Sequence, residues 1–376
     1  MRPIKLLADL IALPSVNPAF LPPGDPTSGE HRVAEYLAHL ARRSGLDVEF
    51  QPVTAKRYNV AIRLSPRGPV RHRIVFAPHM DTVGVSSTAQ FKPARKGGRL
   101  HGRGACDTKG SLAAMLSALM AVAAFRKRPA ETEISLVALV DEEAGQSGSR
   151  RLARSGLRAD LAIVGEPTEL RIVTAHKGDL WLELSTSGRA AHGARPELGV
   201  NAVHRMAKVV DLLETKYAAQ LRRRRHPLLG TATINVGMIR GGTQPNIVPD
   251  RCSIRIDRRT IPGEKDPQVK REILRFIRRH GVEVELVDTK ADEPAPALET
   301  SVEHPMAQRF MKAARQKKPA AVDFFTDAGV LSAAGIPSVV FGPGNIAQAH
   351  TADEWVEISQ LEEATALLQR FLGSLP

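Results

Sequence analysis

The segment ISLVALVDEE, residues 134–143, joins an apolar run to a cluster of acidic groups and decides the fold class of this chain. The run ISLVALV is typical of a strand that is covered on both faces in a parallel sheet. Three consecutive carboxylates, Asp141, Glu142 and Glu143, follow it and repel one another unless cations neutralise them. Because adjacent residues point in different directions, one carboxylate can bind a metal ion while its neighbour faces a substrate.

The same combination of an apolar run and a polar end recurs along the chain. Zinc binds imidazole nitrogen and carboxylate oxygen, and a two-metal site needs one ligand that contacts both ions. Possible ligands end or follow the segments RIVFAPHMD (73–81), HGRGACDTKG (101–110), LAIVGEP (161–167) and VVFGPGNIAQAH (339–350). We therefore predict one metal site built from His79, Asp107, Glu143, Glu166 and His350.

Taken singly, these residues also have simpler interpretations. His79 could be a histidine satisfied in a turn, and Asp107 could cap the helix that follows it. The carboxylates of residues 141–143 could belong to a polar loop. A phosphate-binding loop is not predicted for residues 102–110, because its characteristic order of glycine and lysine is absent. The joint order of the five residues favours the metal site.

Alternating strands and helices in the first part of the chain predict an α/β fold. Apolar runs at 74–78, 134–140 and 161–165 flank helical segments, which indicates a mostly parallel sheet with ligands beyond the carboxyl ends of its strands. From about Gly178, longer alternating strands predict an α+β segment. The first pattern resumes after the segment DEPAPAL, and it includes His350. We therefore predict a catalytic domain formed by residues 1–177 and 293–376, with an inserted domain over 178–292.

The composition of the chain limits which binding partners and which cellular compartment can be expected. The chain has 376 residues and a net charge of +13, but its basic residues are dispersed and aromatic residues make up only 4%, which argues against nucleic-acid binding. The run Arg222–Arg225 is most simply a solvated loop, although an RNA-binding or phosphate-binding role stays open. The excess positive charge of the chain could steer an acidic substrate toward the protein. Two cysteines and the lack of a long apolar stretch predict a cytoplasmic protein without a membrane partner.

Several further segments resemble those of one known family. They run from LIALPSVNP (10–18) and APHMDTV (77–83) through VDEEAGQSG (140–148) and GRAAHGARPELGVNAV (188–203) to GGTQPNIVPDRCSIRIDRR (241–259). The chain resembles the zinc-dependent amidohydrolases and peptidases that include acetylornithine deacetylase, succinyl-diaminopimelate desuccinylase, aminoacylase and bacterial glutamate carboxypeptidase. The phrase GPGNIAQAHTADEW (342–355) is most similar to the acetylornithine deacetylase branch.

The resemblance implies a role for each residue of the predicted metal site. Asp107 would bridge two zinc ions, for which cobalt could substitute. His79 and Glu166 would complete the coordination of one ion. Glu143 and His350 would complete that of the other.

The resemblance also implies which residues carry out the reaction. Glu142 would be the general base, and Asp81 would orient His79. The inserted domain would form a homodimer and send His192 into the site of the neighbouring subunit; a solvent-facing loop histidine is the alternative. The peptide bond between Asp107 and Thr108 would be cis.

Substrate contacts follow from the same resemblance. Asn246 and Arg259 would bind a substrate carboxylate, with Arg258 as the adjacent alternative on the opposite face of its strand. Thr326 would offer a hydroxyl group. Backbone N–H groups of the turn Gly342-Pro343-Gly344 would complete these contacts.

We therefore predict a cytoplasmic, homodimeric di-zinc hydrolase that removes an acyl group from an N-acyl amino acid such as N-acetylornithine. A desuccinylase, a broad aminoacylase and a glutamate-type carboxypeptidase acting on a dipeptide are alternatives, because the metal motifs do not separate them. A catalytically silent metal-binding scaffold is an alternative of another class. The presence of Glu142 argues against the scaffold, since a silent protein would not need that residue.

Overall fold

The computed structural model describes residues 2–124, 128–288 and 294–376. In these ranges, no helix is both long enough and apolar enough to cross a membrane. The strands and helices are numbered in chain order. The strands are β1 (Asp47–Thr54), β2 (Arg57–Leu64), β3 (His72–Pro78), β4 (Ala94–Lys96), β5 (Arg99–His101), β6 (Thr132–Ala138), β7 (Leu161–Gly165), β8 (Val173–His176), β9 (Gly178–Ser187), β10 (Arg225–His226), β11 (Gly230–Thr231), β12 (Thr233–Gly241), β13 (Arg251–Thr260), β14 (Glu285–Asp288), β15 (Leu298–Glu299), β16 (Ala320–Val322), β17 (Ser338–Val340) and β18 (Trp355–Glu357). The helices are α1 (Pro3–Ile11), α2 (His31–Arg43), α3 (Lys109–Ala124), α4 (Ser147–Ala153), α5 (Ala202–Asp211), α6 (Ala218–Leu221), α7 (Asp266–Arg279), α8 (Pro305–Ala313), α9 (Asp327–Ala333) and α10 (Ile358–Leu372).

The chain divides into two compact units. The first comprises Met1–Thr174, Glu299–Ala321 and Thr326–Pro376, and the second comprises Ala175–Leu298 and Val322–Phe325. The predicted boundary between the catalytic and inserted domains, at residues 177 and 178, lies just after the observed boundary between Thr174 and Ala175. The predicted boundary at residues 292 and 293, where the chain would re-enter the catalytic domain, falls outside the described residues.

The segment Val322–Phe325 departs from the predicted division, because the sequence analysis assigned it to the catalytic domain. Its contacts within the second unit explain the difference. Asp323 forms an ion pair with Lys177 at 2.7 Å. The guanidinium of Arg259 lies 5.9 Å from the centre of the Phe325 ring, within the range of a cation–π contact.

The first unit is built around a mixed sheet in which β1, β2, β6, β3, β7, β17, β8 and β15 lie side by side in this order. The four central strands β6, β3, β7 and β17 are parallel, which confirms the predicted fold class. All five residues of β7 are buried, as a strand covered on both faces requires. Helix α3 contacts α1 and α10, and it is buried on nearly every side because almost all its residues are apolar.

The parallel strands place the polar ends of their segments at one edge of the sheet. β3 ends one residue before His79, and β7 ends one residue before Glu166. A bridge between His79 and Leu139 continues the pairing of β3 with β6 toward the acidic residues 141–143. A separate small sheet pairs β18 with β5, which brings the segment after His350 beside the loop that carries Asp107.

The second unit contains an antiparallel sheet in the order β12, β13, β9 and β14. Along β9, Leu180, Leu182 and Leu184 are buried, whereas Trp181 is exposed, as expected for a sheet with one covered face. Helix α5 packs on β9 and β13. Its asparagine cap, Asn201, accepts a hydrogen bond from the backbone N–H of His204 and so begins the helix.

Candidate functional site

The structure brings the five predicted metal ligands together around Asp107. Nε2 of His79 lies 3.1 Å from Oδ1 of Asp107 and 3.7 Å from Oε1 of Glu166. Nε2 of His350 lies 3.2 Å from Oδ2 of Asp107 and 3.0 Å from Oε2 of Glu143. Each oxygen of Asp107 therefore faces a different histidine, and each histidine has a second carboxylate beside it.

This arrangement fits a pair of divalent metal ions. The residues form two overlapping groups of donors, and within each group the donor atoms all lie within 4.8 Å of one another. One group is His79, Glu142 and Glu166, and the other is His79, Asp107 and Glu143. Oε1 of Glu143 and Oε1 of Glu166 are buried and accept no hydrogen bond from the described part of the chain. A buried carboxylate oxygen without a partner is unfavourable, and a bound cation would supply the partner. Imidazole and carboxylate are donors that zinc uses.

The electrostatics of the cluster also favour cations. Burial and the charge of Glu166 raise the pKa of Glu142 well above its ordinary value. Burial and the charge of Asp107 raise the pKa of Glu143 to about 7. Burial opposes ionisation of Asp107 as well, but hydrogen bonds from His350 and His79 outweigh it and lower the pKa of that carboxyl. Divalent ions would displace the protons that such a cluster holds at neutral pH.

Glu142, the predicted general base, lies beside the cluster. Its Oε2 is 4.0 Å from Nε2 of His79, and its side chain is largely buried. The carboxylate is therefore close enough to the donor set to accept a proton from a water molecule held there. Geometry alone would also allow Glu142 to act as a ligand; its assignment as the base comes from the family resemblance.

Asp81 holds the acidic loop more directly than it holds the ring of His79. Nδ1 of His79 lies 2.9 Å from the backbone oxygen of Asp81 but 3.5 Å from its carboxylate. The carboxylate instead accepts the backbone N–H groups of Glu142 and Glu143, both at 3.1 Å, and the amide group of Asn17 at 2.8 Å. The expected orientation of His79 by Asp81 thus occurs mainly through the backbone carbonyl, because the carboxylate is used by the loop.

A buried ion pair on the other side of the acidic loop was not foreseen from the sequence. Arg57, on β2, donates two hydrogen bonds to the carboxylate of Glu30, the residue before α2. It donates a third, at 2.8 Å, to Asp141. Asn17 links Asp141 to Asp81 through hydrogen bonds of 3.0 and 2.8 Å. These contacts hold Asp141 in its left-handed backbone conformation, with φ 70°.

We expect Arg57→Met to lower the free energy of unfolding by about 3 kcal/mol, because it leaves the charge of Glu30 buried without its partner. Urea unfolding of the metal-free protein measures the change. Arg63→Met is the matched control, since Arg63 lies on the same strand and pairs with Glu49 at the surface. That control should cost less than about 1 kcal/mol. Equal small losses in the two variants would contradict the role assigned to the buried pair.

The loop that carries Asp107 contains the cis peptide bond that the family resemblance implied. The peptide bond between Asp107 and Thr108 is cis, so this prediction is confirmed. The Thr108 hydroxyl donates to the backbone oxygen of Gly165, at the end of β7. Fully buried Lys109 donates to the backbone oxygens of Leu10 and Leu13, and burial lowers the pKa of this amine to about 7.

The predicted substrate contacts of the glycine turn are not available in this structure. The N–H of Gly342 donates to the hydroxyl of Thr168 at 3.1 Å, and the N–H of Gly344 donates to the side chain of Gln360 at 2.8 Å. Gly342 serves close packing instead, because an added Cβ would lie 2.1 Å from Oγ of Ser111. The hydroxyl of Thr326 is likewise buried, and it accepts the N–H of Ala328 as the cap of α9.

The remaining predicted residues lie in the second unit. His192 and Asn246 are exposed on neighbouring segments, where the N–H of Gly193 donates to the backbone oxygen of Asn246 at 2.7 Å. His192 pairs with Ile247 in an isolated bridge. Nδ1 of His192 accepts the N–H of Ala194 at 3.1 Å.

The structure distinguishes the two neighbouring arginines of β13. Arg258 is fully buried, and its guanidinium pairs with Glu264 at 2.7 Å. Arg259 is partly exposed and forms two hydrogen bonds of 2.8 Å with Asp257. Asp179 lies 3.7 Å from the same guanidinium. Of the two, only Arg259 has a side chain that a solute can reach, and a substrate carboxylate would have to compete with Asp257 for it.

Comparison with known proteins places this geometry in a family. The model of peptidase family M20/M25/M40 matches residues 75–374. An acetylornithine deacetylase from Myxococcus xanthus is 34% identical over 321 residues, which cover 81% of this chain and 80% of that protein. The aminopeptidase PepT from Bacillus cereus ATCC 10987 has a similar structure, with a TM-score of 0.78, 22% identity and coverage of 99% of this chain and 97% of that chain. The Bacillus subtilis YXEP protein, a dinuclear metal-binding peptidase of the M20 family, has a TM-score of 0.70, 14% identity and coverage of 99% and 97%.

The family match extends over most of the chain, and the fold agrees with the solved structures over nearly its whole length. The resemblance inferred from the motifs is thereby confirmed. The chain belongs to peptidase family M20/M25/M40 and is a metal-dependent hydrolase that acts on amide bonds.

Proposed function

We propose that this protein is a di-zinc deacylase that releases the amino group of an N-acyl amino acid, with N-acetylornithine as the first candidate substrate. The position of Asp107 between His79 and His350 carries the proposal, because a carboxylate with a histidine at each oxygen suits a ligand shared by two metals. The similarity to proteins named acetylornithine deacetylase supports the choice of acyl group.

The proposed ligands divide between two ions. Asp107 would contact both, His79 and Glu166 would complete one site, and Glu143 and His350 would complete the other. When bound, the metals would acidify a water molecule and polarise the acyl carbonyl. The protein's own part is to hold these donors in place, with His79, Asp107 and Glu166 buried and His350 exposed to solvent.

Glu142 moves the proton in the proposed reaction. It accepts a proton from the attacking water and later gives it to the nitrogen of the departing amine. This double role needs a carboxylate that is beside the metals and is not itself a ligand. Burial and the neighbouring charge of Glu166 raise its pKa, which makes it a stronger base than an exposed glutamate.

Residues of the second unit would bind and polarise the substrate. Arg259 and Asn246 would hold its carboxylate, and Arg258 is set aside because its guanidinium is buried against Glu264. His192 would donate to the oxygen of the scissile carbonyl as negative charge develops there, a contact commonly worth about 3 to 4 kcal/mol. In our proposal this histidine comes from the partner subunit of a homodimer.

A substrate panel tests the proposed function. Zinc-loaded or cobalt-loaded protein is given N-acetylornithine, other N-acetyl and N-succinyl amino acids, and dipeptides, and amine release is measured. We expect N-acetylornithine to have the highest kcat/KM. Hydrolysis of dipeptides alone would replace the proposal with a carboxypeptidase, and a metal-loaded protein that is inactive on the whole panel would favour a silent scaffold.

The proposed homodimer makes a separate prediction. A mixture of inactive His192→Ala and inactive Glu142→Gln chains should regain activity, since a mixed dimer contains one site with both defects and one site with neither. In a random mixture about half of the dimers are mixed, so about a quarter of wild-type sites should reappear. Labelled subunits confirm that chains exchange. Exchange without recovery of activity would show that His192 acts within its own chain. A His192→Ala chain that is active by itself would show that His192 has no part in the reaction.

A further inference from the structure

Glu354 is a buried carboxylate, 2% exposed, that receives four hydrogen bonds from the loop carrying Asp107. Its Oε2 accepts Nη1 of Arg103 at 2.7 Å and the N–H of Gly104 at 2.9 Å. Its Oε1 accepts the N–H groups of Cys106 and Asp107 at 2.8 and 3.0 Å. Four donors match the number of acceptor positions that a carboxylate offers.

Strand pairing brings Glu354 to this loop. Trp355 of β18 pairs with His101 of β5, and the N–H of Gly102 donates to the backbone oxygen of Glu354 at 3.0 Å. Glu354 also follows His350 by four residues in the chain. One short segment thus supplies an imidazole beside the carboxylate of Asp107 and an acceptor for the N–H of the same residue.

The geometry of the loop requires a carboxylate at this position. The N–H groups of Gly104, Cys106 and Asp107 converge on the two oxygens of one buried carboxylate, as in a backbone anion-binding nest. Arg103, 3% exposed, balances the charge of Glu354. A glutamine has one acceptor oxygen, and its amide group would face N–H donors, so it would leave part of the loop without partners.

We propose that Glu354 is a positioning residue that sets metal affinity by fixing the backbone of Asp107. With its N–H held, Asp107 directs one oxygen toward His79 and the other toward His350. A small rotation of this backbone would move both oxygens at once, and therefore would weaken both metal sites. This inference rests on the proposed role of Asp107 as a metal ligand.

A purely structural role for Glu354 makes a different prediction. It would lower the melting temperature of the metal-free protein and leave unchanged the zinc affinity of the molecules that are folded. The positioning role lowers the zinc affinity of the folded molecules. Metal affinity measured on folded, full-length protein therefore separates the two roles, without any assay of activity.

The experiment compares Glu354→Gln with wild type in a zinc titration against a chromophoric chelator. We expect zinc affinity to fall by about 10- to 100-fold, the range found when residues that orient metal ligands are replaced. The visible spectrum of bound Co²⁺ should change as well, because it reports the arrangement of the ligands. The matched control is Asp353→Asn, which neutralises the adjacent exposed carboxylate that pairs with His101, and its affinity should equal that of wild type.

Each outcome decides the proposal. Folded Glu354→Gln protein with wild-type zinc affinity would overturn it. If that variant does not fold, Glu354→Asp is measured instead; it keeps the charge opposite Arg103 but retracts both oxygens by one methylene, and the same loss of affinity is expected. Wild-type protein that binds no zinc would overturn the proposed function, and this inference with it, whereas equal binding by wild type and variant overturns this inference alone.

Discussion

Glu142→Gln should lower kcat by about 10² to 10⁴, the range that proton transfer by a positioned side chain contributes. The amide keeps the size and much of the hydrogen-bonding shape of the carboxylate but accepts no proton from an attacking water. Burial and the charge of Glu166 raise the pKa of Glu142, so the substitution also removes the group that these surroundings make basic. The bound zinc should stay close to the wild-type amount, because His79, Asp107 and the other proposed ligands are retained.

The measurement is kcat on the best substrate of the panel, together with metal analysis of the same sample. Glu133→Gln is a suitable control, because Glu133 lies at the opposite end of β6 and pairs with Arg73. Its kcat should match that of wild type. If Glu142→Gln kept most of its activity, the assignment of the base would be wrong and another group would have to accept the proton.

The placement of the site could be predicted because its ligands follow strands. A buried parallel strand has a recognisable apolar run, and parallel neighbours end at the same edge of the sheet. His79 and Glu166 each follow such a run by one residue, so their proximity follows from the topology alone. The cis bond after Asp107 required the family resemblance, since no local pattern indicates it.

The groups that hold the ligands could not be predicted in this way. Glu354 reaches its loop through the pairing of two short strands, and Arg57 reaches Glu30 through the packing of β2 beside α2. Neither contact leaves a periodic signal, because the partners lie far apart in the sequence. The expectation for the Gly342–Gly344 turn failed for a related reason: Thr168 and Gln360, which are remote in sequence, already accept its N–H groups.

The contacts of Asp81 with residues distant in the sequence could not be predicted either. The family resemblance implied that Asp81 orients His79. In the folded chain the backbone oxygen of Asp81 lies 2.9 Å from Nδ1 of His79. The carboxylate turns to the N–H groups of Glu142 and Glu143, since a loop of three acidic residues has backbone donors that need a buried acceptor. The carboxylate stays 3.5 Å from the same ring nitrogen, so Asp81 contacts His79 through both groups, with the backbone oxygen closer.

Asp107→Ala should remove both zinc ions, or nearly so, from a protein that we expect to bind two per chain. The variant loses the oxygen beside His79 and the oxygen beside His350 in one step, so neither ion keeps its full set of ligands. The fold should survive, because Asp107 is not part of the hydrophobic core of the first unit.

Metal analysis after dialysis tests this expectation, and circular dichroism confirms that the metal-free variant is folded. Asp47→Ala is the control, since Asp47 is exposed at the start of β1 and should leave the zinc content unchanged. A single tightly bound ion in both wild type and Asp107→Ala would contradict the shared ligand, because a carboxylate that bridges two metals cannot be lost without affecting both. If wild type binds two ions and the variant keeps one, Asp107 binds only one of the two metals. The contact of each of its oxygens with a different histidine would then need another explanation.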